Sequence, residues 1–234
     1  MAVPDRMDER LRVLGLVEAQ RMARSVFAGA TARGLITPGS GEREAGHRIG
    51  DLARRMFGTA VSRSAGIVRS GPHTILPRGQ EPPDRVIRED DMVVTGLGPL
   101  LTGYASDFAR TLALGDDPAR HRLVEDLATV FAAGRSAFHA DSGITGGQLY
   151  AEVQALAGKA GWALGGEHAG RLVGTAPTAD ARHADPASFL CPDNDEPLRR
   201  TTEGGWRAHW ILEIRLVDED LGRGGWFVDL LDLA

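Results

Sequence analysis

The order of helix and strand patterns along the chain constrains its fold most strongly. Apolar residues recur at helical spacing from Asp5 to about Gly34 and again from Glu42 to Phe57, and short strand patterns follow. The same order then returns, with two predicted helices and a second group of strands. Helices followed by strands, twice, predict an α+β fold with an antiparallel sheet rather than a βαβ succession.

The boundaries follow from turn residues that separate these patterns. The strand patterns of the first half are Gly66–Ser70, Met92–Gly96, Leu100–Tyr104 and Ala109–Leu114. The second half contains helices at Pro118–His139 and Thr145–Gly161 and strands at Trp210–Val217 and Gly225–Leu231. The polar, Pro-rich stretch Gly79–Asp91 predicts a surface loop. Because no linker divides the chain, residues 1–234 are expected to form a single domain.

Composition excludes several classes of protein. The 32 acidic and 27 basic residues give a net charge of −5, which disfavours a nucleic-acid-binding surface. The single Cys191 excludes an internal disulfide framework and a cysteine-rich zinc module. No apolar run is long enough to span a membrane, and the first ten residues are too polar for a signal peptide. We therefore expect a cytoplasmic, globular protein with neither nucleic-acid nor membrane partners.

Six segments occur in an order that is specific to one family. They are IVRSG (67–71), Gly98-Pro99, GYASDFARTLALGDDP (103–118), HAGRLVG (168–174), HWILEIRLVD (209–218) and GGWFVDLLD (224–232). Together they resemble the pita-bread metallopeptidases, the family of methionine aminopeptidase, prolidase and creatinase, and most closely its short bacterial members. The resemblance implies a pita-bread (creatinase/aminopeptidase) fold, with a curved antiparallel sheet covered by helices and two pseudo-symmetric halves.

The resemblance also implies a site for two divalent metals, held by two Asp, one His and two Glu side chains. Two such cations clamp an activated water and the scissile carbonyl oxygen. Asp107 and Glu213 match two of these ligands, but the other three positions hold Gly96, Arg171 and Val228. The sequence therefore predicts loss of the metal centre, with no metal and no other cofactor.

Neighbouring side chains do not restore the missing ligands. His168 and Asp229 are expected on the opposite face because side chains alternate along a strand. Asp180 lies in an irregular stretch, and Thr95 offers only a neutral hydroxyl.

Arg171 suggests what replaced the metals. A guanidinium is always charged and binds carboxylates in a bidentate fork. We expect Arg171 to pair with Asp107 or Glu213 and to occupy the space that the metals take in the family. In this hypothesis Asp107 and Glu213 are the catalytic acid and base, and the alternative is that both only form hydrogen bonds within the sheet. Arg171 orients a substrate carboxylate, pairs internally, or does both.

Five further positions are candidates for substrate binding. By the resemblance, Ser64 and Thr178 stand where the family has substrate-contacting His residues, and His73 lies near the mouth of the cleft. His168 and His209 flank the site segments, with a hydrogen-bonded structural imidazole as the alternative reading for each.

Three hypotheses for the function follow. The first is a metal-independent enzyme that acts on a small amino-acid-like or amide substrate by C–N cleavage, elimination or cyclisation, in specialised metabolism. The second is a non-catalytic pseudo-peptidase that binds a ligand or partner. The third is a divergent metal-dependent aminopeptidase or prolidase. A homodimer is plausible, since many family members associate.

Overall fold

Both predicted halves are present in the computed structural model, which describes residues 6–58, 66–77, 79–98, 107–174 and 184–233. The helices are α1 (Arg6–Ala32), α2 (Glu42–Phe57), α3 (Pro118–Ala140) and α4 (Gly146–Lys159). The strands are β1 (Ile67–Ser70), β2 (Met92–Leu97), β3 (Phe108–Ala113), β4 (Ala163–Leu164), β5 (Gly170–Leu172), β6 (Trp210–Asp218) and β7 (Arg223–Leu230).

The helices of the second half begin where their sequence supplies a cap. Asp117 precedes Pro118 and accepts a hydrogen bond from the Ala119 amide at 2.9 Å. At the start of α4, Thr145 and Gln148 form a reciprocal capping box, with hydrogen bonds of 3.2 and 2.9 Å. These caps satisfy amides that would otherwise have no partner at a helix start.

The strands form one antiparallel sheet whose order reflects the two halves. The order is β1-β2-β3-β7-β6-β4, and β5 also pairs with β6. The last strands of the halves, β3 and β7, lie side by side at the centre, and the earlier strands of each half extend outward from them. The α+β fold with an antiparallel sheet and two corresponding halves is thus confirmed.

All four helices contribute residues to the cores on one face of this sheet, and Leu16 of α1 packs with residues of the other face. Leu212, Ile214 and Leu216 of β6 form a core with α3 and α4, while Val93 and Leu97 of β2 pack with α1 and α2. In each of these two strands, every second residue faces the helices, because side chains alternate between the two faces of a sheet. The intervening residues therefore point to the other face, which we call the site face.

One local prediction changes, and two short strands are added. The segment Gly79–Asp91 contains no helix or strand of its own, as predicted, but it is not only a surface loop, because Ile87 is buried in the core with α1 and α2. The short strands β4 and β5 were not predicted, and the predicted strand Leu100–Tyr104 lies outside the described residues. No helix within the described ranges is long and apolar enough to cross a membrane.

Candidate functional site

The pairing of the strands brings the five expected ligand positions to one face of the sheet. Gly96 pairs with Ala109, Ala109 with Val228, and Val228 with Glu213, so these residues form one row across four strands. Directly paired residues of an antiparallel sheet project from the same face.

The two remaining positions, Asp107 and Arg171, lie on the same face because side chains two residues apart in a strand project in the same direction. Asp107 lies two residues before Ala109. Arg171 pairs with Ile211, which lies two residues before Glu213. The register therefore places Asp107, Arg171 and Glu213 together on the site face, and places Gly96 and Val228 there with them.

Arg171 lies between the two carboxylates. Its Nη1 donates to Glu213 Oε2 at 3.0 Å, and its Nη2 forms an ion pair with Asp107 Oδ2. The guanidinium thus contacts both carboxylates, where the sequence predicted a contact with one or the other. Asp107, Arg171 and Glu213, with exposures of 5%, 1% and 1%, are all buried.

Two glycines permit this close approach. A side chain at Gly98 would collide with the Asp107 carboxylate. A side chain at Gly170, where φ is +154°, would collide with the backbone oxygen of Ile211. Glycine at 170 therefore lets β5 approach β6 closely enough for Arg171 to reach the carboxylates.

Arg215 is a member of the cluster that sequence analysis missed. Its Nε donates to Glu213 Oε1 at 2.6 Å, and its Nη2 contacts the same oxygen. The guanidinium stands over the ring of Trp226 with 4.6 Å to the ring centroid, so its position is fixed from two sides. The two-residue spacing from Glu213 along β6 was the signal that could have identified it.

In the described contacts of the cluster, opposite charges are equal in number. Asp107 and Glu213 supply two negative charges, and Arg171 and Arg215 supply two positive ones. Buried charges are tolerated in proteins when they are paired and hydrogen-bonded. Among the described residues, each of these two carboxylates has a guanidinium partner.

Apolar packing surrounds the positions where ligands are missing. Val228 is fully buried and belongs to a cluster with Ala109, Ile211 and Leu230, to which Leu16 of α1 also contributes. Within the ranges that the structure describes, no group of three or more His, Cys, Asp or Glu side chains is placed to hold a metal ion. Of the five positions that match family ligands, Asp107 and Glu213 are the two that carry a side-chain oxygen.

Asp229 points to the opposite face, as its position next to Val228 predicts. It forms ion pairs with Arg24 of α1 at 3.0 Å and with Arg110 of β3. Burial lowers the pKa of Arg110, and the charge and hydrogen bond of Asp229 oppose that effect. Thr95 pairs with Arg110 in the sheet and shares that opposite face. Neither Asp229 nor Thr95 can substitute for a ligand on the site face.

The described contacts of the proposed substrate-binding residues lie in different parts of the fold. His73 lies in a 3-10 turn (Gly71–Ile75), and its Nδ1 is 2.8 Å from Glu42 Oε2. The His168 ring packs beside the ring of Phe189 with centroids 5.0 Å apart. Substrate contact by His73 and His168 stays a prediction. Ser64, Thr178 and the rejected candidate Asp180 lie outside the described residues.

His209 lies between two carboxylates. Its Nδ1 is 2.6 Å from Asp232 Oδ2, and its Nε2 is 3.0 Å from Glu9 Oε1. The ring therefore connects the start of α1 to the end of the chain, and carboxylates occupy both ring nitrogens. Substrate contact by His209 stays a prediction beside this connecting role.

We expect His209→Ala to lower the free energy of unfolding by about 2–3 kcal/mol, because two carboxylates lose the imidazole that lies between them. Arg12 still contacts Glu9 and the Trp210 amide still donates to Asp232, which limits the loss. Urea denaturation measures the change. The control His47→Ala removes an exposed imidazole on α2 and should stay within about 0.5 kcal/mol. Equal stability of the two variants would contradict the connecting role of His209.

Comparison with known families gives one match that covers most of the chain. The sequence model of metallopeptidase family M24 matches residues 15–200. The Xaa-Pro dipeptidase of Pyrococcus furiosus is 31% identical over 114 residues, which cover 49% of this chain and 32% of that protein. The aligned region is therefore about one third of that relative.

Solved structures show the same fold at low sequence identity. An X-Pro aminopeptidase from Thermotoga maritima superposes with a TM-score of 0.75 at 18% identity, covering 97% of this chain and 58% of that one. A dipeptidase from Pyrococcus horikoshii superposes with a TM-score of 0.73 at 24% identity, and the superposition covers 97% of this chain and 58% of that one. A methionine aminopeptidase from Rickettsia prowazekii gives 0.65 at 13% identity and covers 98% of this chain and 93% of that one. These likenesses confirm the pita-bread fold.

Proposed function

Since this chain belongs to metallopeptidase family M24, we propose that it is a metal-independent member of that family, with an ion-pair cluster at the positions of the metal ligands. One observation carries the proposal: the Arg171 guanidinium contacts both Asp107 and Glu213, the two carboxylates that match family ligands. A cation that belongs to the chain thus lies where the resemblance expects bound cations.

Charge supports this proposal. Two divalent cations would add about four positive charges to a buried cluster that is already neutral with Arg171 and Arg215. Uncompensated charge in a protein interior costs several kcal/mol per ion. Arg171 cannot release its proton to relieve this excess, because a guanidinium stays protonated in proteins. The residues present therefore do not fit a dinuclear metal centre.

The side chains at the five ligand positions also support metal independence. Gly96 has no side chain, and Val228 offers only methyl groups that pack in the apolar cluster. Hard divalent cations prefer several oxygen ligands, and zinc sites use at least three protein ligands. Two carboxylates that already accept from guanidinium groups fall short of either requirement.

For the reaction, we propose acid–base chemistry on a small amino-acid-like or amide molecule. The two carboxylates are not equivalent for this task. Glu213 is fully buried, and both of its oxygens accept from arginines, so it positions Arg171 and Arg215. The Asp107 side chain retains 8% exposure and lies at the beginning of β3. We assign proton transfer to Asp107, and we assign to Arg171 the positioning of that carboxylate.

A non-catalytic binding protein is the second candidate. The observation that favours it is the engagement of both carboxylates by guanidinium groups, which also suits a purely structural network. In that case the cluster replaces the metals as a support for the fold, and the cleft binds a ligand without changing it.

A turnover assay separates these candidates. The protein is incubated with amino-acid amides, N-acyl amino acids and Xaa-Pro dipeptides, with EDTA in one arm and Mn²⁺ in the other, and products are followed by mass spectrometry. We expect turnover in EDTA that Asp107→Asn abolishes. Retention of a compound without its conversion supports the binding protein. Hydrolysis that requires Mn²⁺ would overturn the proposal and favour a divergent aminopeptidase or prolidase.

A further inference from the structure

A second cleft, separate from the Arg171 cluster, is lined with arginines. Its volume is about 350 Å³, and Arg199, Arg200 and Arg207 line it together with Thr201. This volume falls at the lower end of the range of small-molecule sites. The cleft lies beside the end of α3 and the segment that leads into β6.

Neutral groups hold two of these arginines in place. Arg199 donates to the backbone oxygens of Asp141 and Phe138 at 2.7 and 2.8 Å, and it stands over the Phe138 ring. Arg200 donates to the backbone oxygen of Pro197 at 3.3 Å and stands over the Trp210 ring. Carbonyl oxygens and rings orient a guanidinium but do not cancel its charge.

No carboxylate in the described part of the chain forms an ion pair with Arg199, Arg200 or Arg207. Asp232 is the acidic residue that lines the cleft, and its single carboxylate, which contacts the Trp210 amide and His209, offsets at most one of the three guanidinium charges. The nearby Asp141 carboxylate accepts from the Gly143 amide instead. The arginines and the one carboxylate that line the cleft therefore leave an excess of positive charge.

We propose that this arginine cleft binds a small molecule that carries a multivalent oxyanion, either a phosphate ester or a dicarboxylate. Guanidinium groups bind both classes through paired N–H···O contacts. Two oriented guanidiniums and the exposed Arg207 offer donors from several directions, and the Thr201 hydroxyl adds a neutral one. Anion binding in this cleft is independent of the proposed chemistry at Asp107, which does not line it.

The test uses inorganic phosphate and succinate as probes of the two classes. Each is titrated into the whole protein by calorimetry at constant ionic strength, with chloride as the reference anion. We expect saturable binding of one probe, and the probe that binds identifies the class. Arg207→Gln should weaken that binding about tenfold, as loss of one charge-assisted contact predicts.

Two further variants make the result specific. Arg55→Gln removes one positive charge from an exposed position on α2 and should leave binding unchanged. Arg207→Lys keeps the charge without the planar fork and should bind more weakly than the native protein but more tightly than Arg207→Gln. Absence of saturable binding by both probes would overturn the proposal, and so would equal weakening in Arg55→Gln and Arg207→Gln.

Discussion

Replacing Arg171 with leucine is expected to lower the free energy of unfolding by about 3–5 kcal/mol, the range found when one partner of a buried ion pair is removed. Arg171 contacts both Asp107 and Glu213 in a region closed to solvent. Leucine would leave Asp107 without its guanidinium contact and Glu213 with that of Arg215. Loss of the cation thus leaves buried negative charge, which is the main physical cause of the effect.

Chemical denaturation of Arg171→Leu measures this change, with Arg48→Leu as the matched control. Arg48 forms an exposed pair with Glu44 at 2.5 Å on α2, where loss of the pair should cost about 0.5 kcal/mol or less. If the two leucine variants were equally stable, Arg171 would not be neutralising the buried carboxylates.

The second large effect is expected for Glu213→Leu, which should also cost about 3–5 kcal/mol because two guanidiniums lose a shared acceptor. Arg171 is fully buried and cannot turn to water, whereas the Arg215 side chain, 14% exposed, can do so in part. Most of the cost therefore comes from Arg171.

A double-mutant cycle tests whether Arg171 and Glu213 act as one unit. The double variant Arg171→Leu/Glu213→Leu should be more stable than the sum of the single effects predicts, by about 1–3 kcal/mol, since each single variant leaves a charge that the double variant removes. Strict additivity would show that the 3.0 Å contact carries no coupling and would contradict the ion-pair cluster.

The order of elements and three members of the cluster could be predicted from the sequence. Helical and strand periodicity is local, so it showed α1 to α4 and the longer strands. The family motifs located Asp107, Glu213 and Arg171. β4 and β5, of two and three residues, are too short for a visible alternation.

Other features depend on contacts between distant parts of the chain. His209 reaches Glu9, 200 positions earlier, and Asp232, 23 positions later, and no local pattern encodes such partners. Ile87 is buried in the core although it belongs to a polar, irregular segment whose sequence shows no helix or strand periodicity. Arg215 was predictable in principle, because it follows Glu213 by two residues on the same strand.

The count of 32 acidic residues also illustrates why placement matters more than composition. By number, carboxylates are ample for metal chemistry. On the site face, however, two carboxylates meet two guanidiniums, and Gly96 and Val228 add no oxygen.

Metal content tests the central claim most directly. The purified protein is incubated with excess Mn²⁺, Co²⁺ or Zn²⁺, desalted, and measured by elemental analysis, and the variant Gly96→Asp/Arg171→His/Val228→Glu shows whether restored ligands are detected. The ion-pair cluster predicts far less than one metal ion per native chain and no change in Tm with EDTA. About two tightly bound divalent ions per native chain, as in a dinuclear site, would contradict it.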